Sequence, residues 1–323
     1  MLEFNFQSID QRRRAEFAEL ARALPGNRAS VEFLVKHIGV RVTNTRNDSY
    51  FAEAHAYLCA HLFAHSDMPN EAAQAIAASN VLPFSGGDVL FHDAVAECIA
   101  LAHAQDDAIS RGAPSVILAS MPRAASAALT QTLAKIIAAP IVRASIGGFP
   151  NCWLMPSWLS RVARGGAILH DHFGASEFNL ARLREQGINT VFVLVRDPRA
   201  AAVSAAKMEF GDHPKEGDVD ATYLKYISWL RGWIDAESSA KVEVRWIRSR
   251  DVTHESASLK VVLTTILGAN SNFADQISNV SLAKANFTGQ PSDGWREGVS
   301  PQLRSRMWNL LPREAVDRLQ LRQ

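Results

Sequence analysis

Three short segments hold the residues whose types and spacing could do chemistry. The first is Met121-Pro122-Arg123-Ala124-Ala125-Ser126-Ala127-Ala128-Leu129, which follows the apolar run Ser115–Ser120 and leads into a helical pattern. A strand, a tight loop and a helix N-terminus together form an anion site, because unpaired N–H groups and the positive end of the helix dipole face the ligand. Arg123 adds a fixed charge. The second segment, Arg196-Asp197-Pro198-Arg199-Ala200-Ala201-Ala202-Val203-Ser204, follows the run Thr190–Val195. Pro198 suits a first helical turn, which leaves Asp197 to cap the helix and Arg196 at the strand end. Ser204 lies 204 − 196 = 8 residues beyond Arg196, so the two reach one anionic group only if the turn is tight. The plain structural alternatives are an Arg196–Asp197 ion pair and a serine that merely packs. The third segment is His170-Asp171-His172, at the end of the run 166–170. Alternation along a strand puts both histidines on one face and makes one of them a candidate general base, although a strand-end histidine is also a common structural residue. A metal reading of His-Asp-His finds no second ligand cluster in supporting spacing.

These segments need a scaffold that brings strand ends together, and the chain supplies one after Pro114. Short apolar runs at 115–120, 140–145, 166–170, 190–195 and 242–247 alternate with helical patterns near 125–138, 153–163, 176–187, 199–210 and 220–237. Such runs suit strands buried on both faces of a parallel sheet, and ligands of these sheets bind at the carboxyl ends of the strands. The expected class is therefore α/β, a central parallel sheet flanked by helices. Residues 1–112 read as a separate, mostly helical domain with little strand signal, and 113–323 as the α/β domain.

Composition narrows the partners. With 34 Lys+Arg against 33 Asp+Glu, the chain lacks the basic excess expected of a nucleic-acid binder. No signal-peptide pattern opens the sequence, and no apolar run approaches the ~20 residues of a membrane span. Cys59, Cys98 and Cys152 are spaced 98 − 59 = 39 and 152 − 98 = 54 apart, which is not a zinc pattern. They read as buried thiols in a reducing cytoplasm. Neither G-x-x-x-x-G-K-[ST] nor G-x-G-x-x-G is present, so ordinary ATP or NAD binding has no sequence support.

The three segments, in this order, resemble the sulfotransferases that use 3′-phosphoadenosine-5′-phosphosulfate (PAPS), with a P-loop-like α/β fold. The resemblance covers about 113–321. The stretch 122–129 looks like the family's 5′-phosphosulfate loop, and 196–204 is similar to its 3′-phosphate motif, including the Arg-to-Ser spacing. His170-Asp171-His172 looks like the family's Lys-Thr-His segment, with His170 in place of the lysine. Residues 248–252 and the following helix resemble a further family segment. Residues 287–296 are similar to the C-terminal loop that folds over the cofactor.

The resemblance implies transfer of a sulfuryl group from PAPS to a hydroxyl or amine acceptor, small or carrier-bound, leaving PAP, with no metal. It implies Arg123, Ala124, Ala125, Ser126 and Ala127 at the 5′-phosphosulfate, and Arg196 and Ser204 at the 3′-phosphate. His172 would be the base, with help from His170 and Arg123. Gly289, Trp295 and Arg296 would form the C-terminal cover. Ala125 replaces the family's glycine, which costs nothing only if φ there is negative. Ala128 replaces the family's adenine-stacking tryptophan, leaving Trp153, Trp158 and Trp295 as candidates. Thr288 stands where a basic residue is expected, with Lys284 or Arg296 as substitutes. Two other readings stay open: a degenerate fold relative that binds a nucleotide or partner without catalysis, motivated by Ala125, Ala128 and Thr288, and a kinase of related fold, which the missing G-x-x-x-x-G-K-[ST] lysine disfavours. The loop 147–150 with Trp153 and Trp158 is a candidate wall for the acceptor.

Overall fold

The computed structural model describes residues 104–146, 149–154, 156–253, 256–268, 272–280 and 294–321. The expected helical domain therefore lies outside the described residues as far as 103, as do Lys284, Thr288 and Gly289.

The chain enters through a helical segment at 104–110, then forms β1 (Val116–Ser120), α1 (Ser126–Ile137), β2 (Ile141–Val142), β3 (Ser145–Ile146) and β4 (Trp153–Leu154). Next come α2 (Pro156–Ala163), β5 (Ile168–Asp171), α3 (Glu177–Glu185), β6 (Thr190–Val195), α4 (Pro198–Phe210), α5 (Glu216–Ser238) and β7 (Glu243–Arg248). The C-terminal part holds α6 (Ser249–Thr253), α7 (Ser256–Leu267), α8 (Ala274–Ser278), a 3₁₀ turn (Gly294–Gly298), α9 (Pro301–Leu310) and α10 (Arg313–Leu319).

Five strands form one sheet in the order β2-β5-β1-β6-β7, and every adjacent pair is parallel. All five residues of β1 are buried, as are five of the six in β6, which is why both strands read as unbroken apolar runs. The expected class, a central parallel sheet flanked by helices, is the observed one.

Two elements differ from the expectation. The run at 140–145 splits: only Ile141–Val142 joins the sheet, while Ser145–Ile146 pairs antiparallel with Trp153–Leu154. This small ribbon also takes Trp153 out of the helix expected there, so α2 starts at Pro156. Helix α5 begins at Glu216, earlier than expected, where Asp218 accepts a hydrogen bond from the Lys215 N–H at 3.2 Å. Along α5, Tyr223, Tyr226, Trp229, Leu230 and Trp233 recur at three- and four-residue spacing and are all buried. On α4, Ala200, Ala201, Ala202, Val203 and Ala206 are buried, and the helix packs against α5, the small side chains letting the two lie close.

The segment 104–110 packs on the α/β unit. Ala108 is fully buried, and Gln105 donates to the carbonyl of Gly165 at 2.8 Å. Gly166 has φ +66°, and a Cβ there would come within 2.7 Å of the Gln105 carbonyl oxygen, so the contact requires glycine.

From β1 the chain goes by α1 to β2 on one flank of the sheet, and from β6 by α4 and α5 to β7 on the other. The adjacent carboxyl ends of β1 and β6 thus form a topological switch point, where such sheets bind ligands.

Candidate active site

The switch point brings the two arginine segments together. Arg123 Nε donates to Ser204 Oγ at 3.1 Å, across 81 residues of sequence. Arg196 Nη1 reaches the Arg123 carbonyl oxygen at 3.4 Å. Burial holds the Arg196 guanidinium below its usual pKa and the nearby Arg123 charge adds to this, while Asp197 and Tyr226 act in the opposite sense. Two half-buried cations side by side are a site that an anion stabilises.

The loop between β1 and α1 is shaped by its backbone. Arg123 has φ 67° and Ala125 φ 65°, both in the left-handed region. The condition for a cost-free replacement of glycine is therefore not met at Ala125: this alanine adopts the conformation that glycine adopts freely, at a cost on the order of 1–2 kcal/mol. Two left-handed residues alternating with others curve successive N–H groups toward a common concavity, a backbone nest suited to anions. Ala125 is also the N-cap of α1, and no side chain caps that helix. The first helical N–H groups, beginning at Ser126 and Ala127, are left for a ligand.

The β6–α4 junction is built differently. Asp197 caps α4 by accepting from the Arg199 N–H at 2.9 Å, with Pro198 in the first turn, as the sequence predicts. The carboxylate also takes both arms of the Arg199 guanidinium, at 3.0 and 2.9 Å. The partner of Asp197 is thus Arg199 rather than Arg196, which leaves Arg196 facing the β1 loop.

On the other side of β1, sheet register sets the histidines. Leu118 pairs with His170 and Ala119 with Asp171, so His172 comes level with Ser120. His172 Nδ1 lies 2.7 Å from the Ser120 carbonyl oxygen and 3.0 Å from Ser120 Oγ. A carbonyl only accepts, so Nδ1 carries the proton and the lone pair of the neutral ring is on Nε2. Ser120 Oγ is also 2.9 Å from His170 Nε2. Burial, followed by the charges of His172 and Arg143, drives the His170 pKa down to about 3. His170 is therefore neutral near pH 7 and does not replace the family lysine as a cation. Its geometry ties it through Ser120 to His172.

An aromatic wall flanks His172. Phe149 lies edge-on to His172 at 6.4 Å and to Tyr226 at 4.8 Å, and Trp229 donates its indole N–H to the Phe173 carbonyl at 2.9 Å. Of the expected acceptor wall, Phe149 is thus beside His172, whereas Trp153 packs on Phe178 at 5.3 Å. The side chain of Trp158 and Gly147-Gly148 lie outside the described residues.

Tyr226 was not legible as a site residue. It is 1% exposed, its hydroxyl has no hydrogen-bond partner among the described residues, and the charges of Arg123 and Arg196 act on it. The sequence shows it only as one more apolar position on α5. Trp295 and Arg296 line a cavity with Arg199. Near the strand-end site, Cys152 is buried beside Asp171, and its thiol is pushed up to about 12, chiefly by burial.

No protein-family model matches the chain, and no curated protein matches it in sequence. Among solved structures, the chain is similar to mouse sulfotransferase SULT7A1 complexed with PAP, at 16% identity and a TM-score of 0.41, covering 65% of this chain and 86% of that one. No described helix is long and apolar enough to cross a membrane.

Proposed function

We propose that the chain binds PAPS at the β1/β6 switch point and moves its sulfuryl group in line to a hydroxyl or amine acceptor, releasing PAP. The observation that carries this reading is the meeting of Arg123, Arg196 and Ser204 over an uncapped helix N-terminus, with the basic nitrogen of His172 one strand away.

The donor supplies an activated sulfuryl group. The N–H groups of residues 124–127 and the Ser126 hydroxyl hold the 5′-phosphosulfate, and the dipole of α1 stabilises charge as it develops on the departing phosphate. Arg123 spans to the 3′ side through Ser204, and Arg196 reads the 3′-phosphate, for which the planar guanidinium fork suits a bidentate contact. The Tyr226 hydroxyl, a donor with no partner among the described residues, is available to the same anion. His172 takes the acceptor proton on Nε2, and the Ser120 carbonyl stabilises the imidazolium through Nδ1–H. The acceptor, small or carrier-bound, comes in past Phe149. With its thiol pKa raised, Cys152 stays reduced and inert, as suits a cytoplasmic enzyme.

Calorimetric titration with PAP, with AMP as control, tests the binding step. Tight binding that needs the 3′-phosphate and falls by about tenfold or more in Arg196→Ala is expected. Equal affinity for AMP would remove PAPS from consideration and favour a fold relative without this chemistry. For the chemical step, His172→Ala should lower turnover with PAPS by about 10²- to 10⁴-fold while PAP affinity is kept. Unchanged turnover would show that His172 is not the base.

A further inference from the structure

A second cluster of donors lies beyond the strand-end site. Arg199, Trp295, Arg296, Arg304, Ser305 and Trp308 line a cavity of about 250 Å³ between α4, the 3₁₀ turn and α9. Arg199 and Ser204 are five residues apart on α4, which helical geometry turns by roughly 140°. The cavity is therefore on a different face of the helix from the one that meets Arg123. Gly298, in the 3₁₀ turn, packs near Val203 and Lys207 on that other face.

The wall is rigid. The Arg199 guanidinium is 3% exposed and sits over two indole rings, 5.0 Å from the centre of Trp295 and 5.1 Å from that of Trp308, while Asp197 balances its charge. Arg304 has no such balance: it forms no ion pair among the described residues, and its buried Nε makes no hydrogen bond. The buried indole N–H of Trp295, a residue 7% exposed, also lacks an acceptor among the described residues. No carboxylate is among the described residues that line the cavity.

Indole and guanidinium N–H groups only donate, and a buried donor left without an acceptor is destabilising. The complementary ligand is rich in acceptors, negatively charged and small, because the volume falls below the ~300–1,000 Å³ of pockets that enclose drug-sized molecules. We propose that this cavity is a second anion site, separate from the strand-end site, that takes the phosphate or sulfate group of a monoester or the free oxyanion. Arg304 Nε and Trp295 Nε1 supply the unused hydrogen bonds.

The test uses the full chain with its tryptophan indoles labelled with ¹⁵N. Inorganic phosphate, titrated at constant ionic strength against chloride, should shift the Trp295 indole N–H signal along a saturable curve. The Arg304→Ala protein should bind about tenfold or more weakly, and Arg304→Lys should recover part of the loss. Arg196→Ala should leave the curve unchanged, which separates this site from the proposed PAPS site. A shift that follows chloride equally, or that persists in Arg304→Ala, would overturn the proposal, as would its loss in Arg196→Ala. Repeating the titration with phosphoethanolamine distinguishes the two sources. Tighter binding than inorganic phosphate assigns the site to a monoester on a larger molecule, and equal or weaker binding assigns it to the free oxyanion.

Discussion

The two strand-to-helix junctions of the switch point have similar construction and opposite finish. After β6, Asp197 caps α4 with its own carboxylate and holds Arg199 by a paired contact. After β1, Ala125 offers no side chain to α1, and the loop spends conformational energy on two left-handed residues. The first junction caps its helix internally and presents side chains, Arg196 and further along α4 Ser204, to a ligand. The second leaves backbone donors for one. A helix N-terminus binds an exogenous anion only where the chain has not supplied its own, so the same motif is structural at one strand end and receptive at the next.

The largest expected effect comes from opening the closed junction. Asp197→Ala removes the α4 cap and leaves the Arg199 guanidinium, 3% exposed, without its carboxylate. Loss of about 3 kcal/mol of stability is expected in urea unfolding, and Asp197→Asn should recover part of it by restoring the cap. A change below about 1 kcal/mol would mean that the Arg199 charge is held without Asp197.

Closing the open junction is the reciprocal experiment. Ala125→Asp places a carboxylate at the N-cap of α1, in a left-handed conformation that aspartate tolerates better than alanine does. Stability should hold or rise, while PAP affinity drops by about tenfold or more because the internal anion competes with the ligand. Unchanged PAP affinity would show that the N-terminus of α1 is not where the ligand's charge rests.

A smaller effect tests how the β1 side is braced from β5. The folded-state pKa of His170 is depressed to about 3, so below its ordinary value near 6.5 the unfolded chain binds the proton that the folded chain refuses. Stability is then full above that ordinary value and falls as pH drops from about 6.5 toward 3, by up to about 1 kcal/mol per pH unit. Urea unfolding at pH 7 and pH 5 should show this slope, reduced in His170→Gln. An identical slope in that variant would assign the acid sensitivity to other groups.

What could be read in advance was local. The buried runs of β1 and β6, the Asp-Pro start of α4 and the apolar stripe of α5 depend on residues within a few positions of one another, so their periodicity and capping signals survive in one dimension. The histidine pair is a borderline case. Its shared face followed from strand alternation, but the tautomer of His172 depends on the carbonyl of Ser120, 52 residues away. Ala125 shows why a local rule can mislead: its left-handed φ is the opposite of what alanine prefers, and the surrounding strand and helix impose it.

Sequence alone determined the alternation of buried strands and amphipathic helices, and the presence of two arginines at strand ends, because these rest on short-range sterics and on which residues leave water. Tertiary structure alone decided that Arg123 meets Ser204, that Tyr226 brings a bare hydroxyl to the arginines, and that Arg199 turns away to two tryptophans. Those outcomes depend on strand order and helix rotation, which the packing of the whole sheet settles and no neighbouring residue encodes.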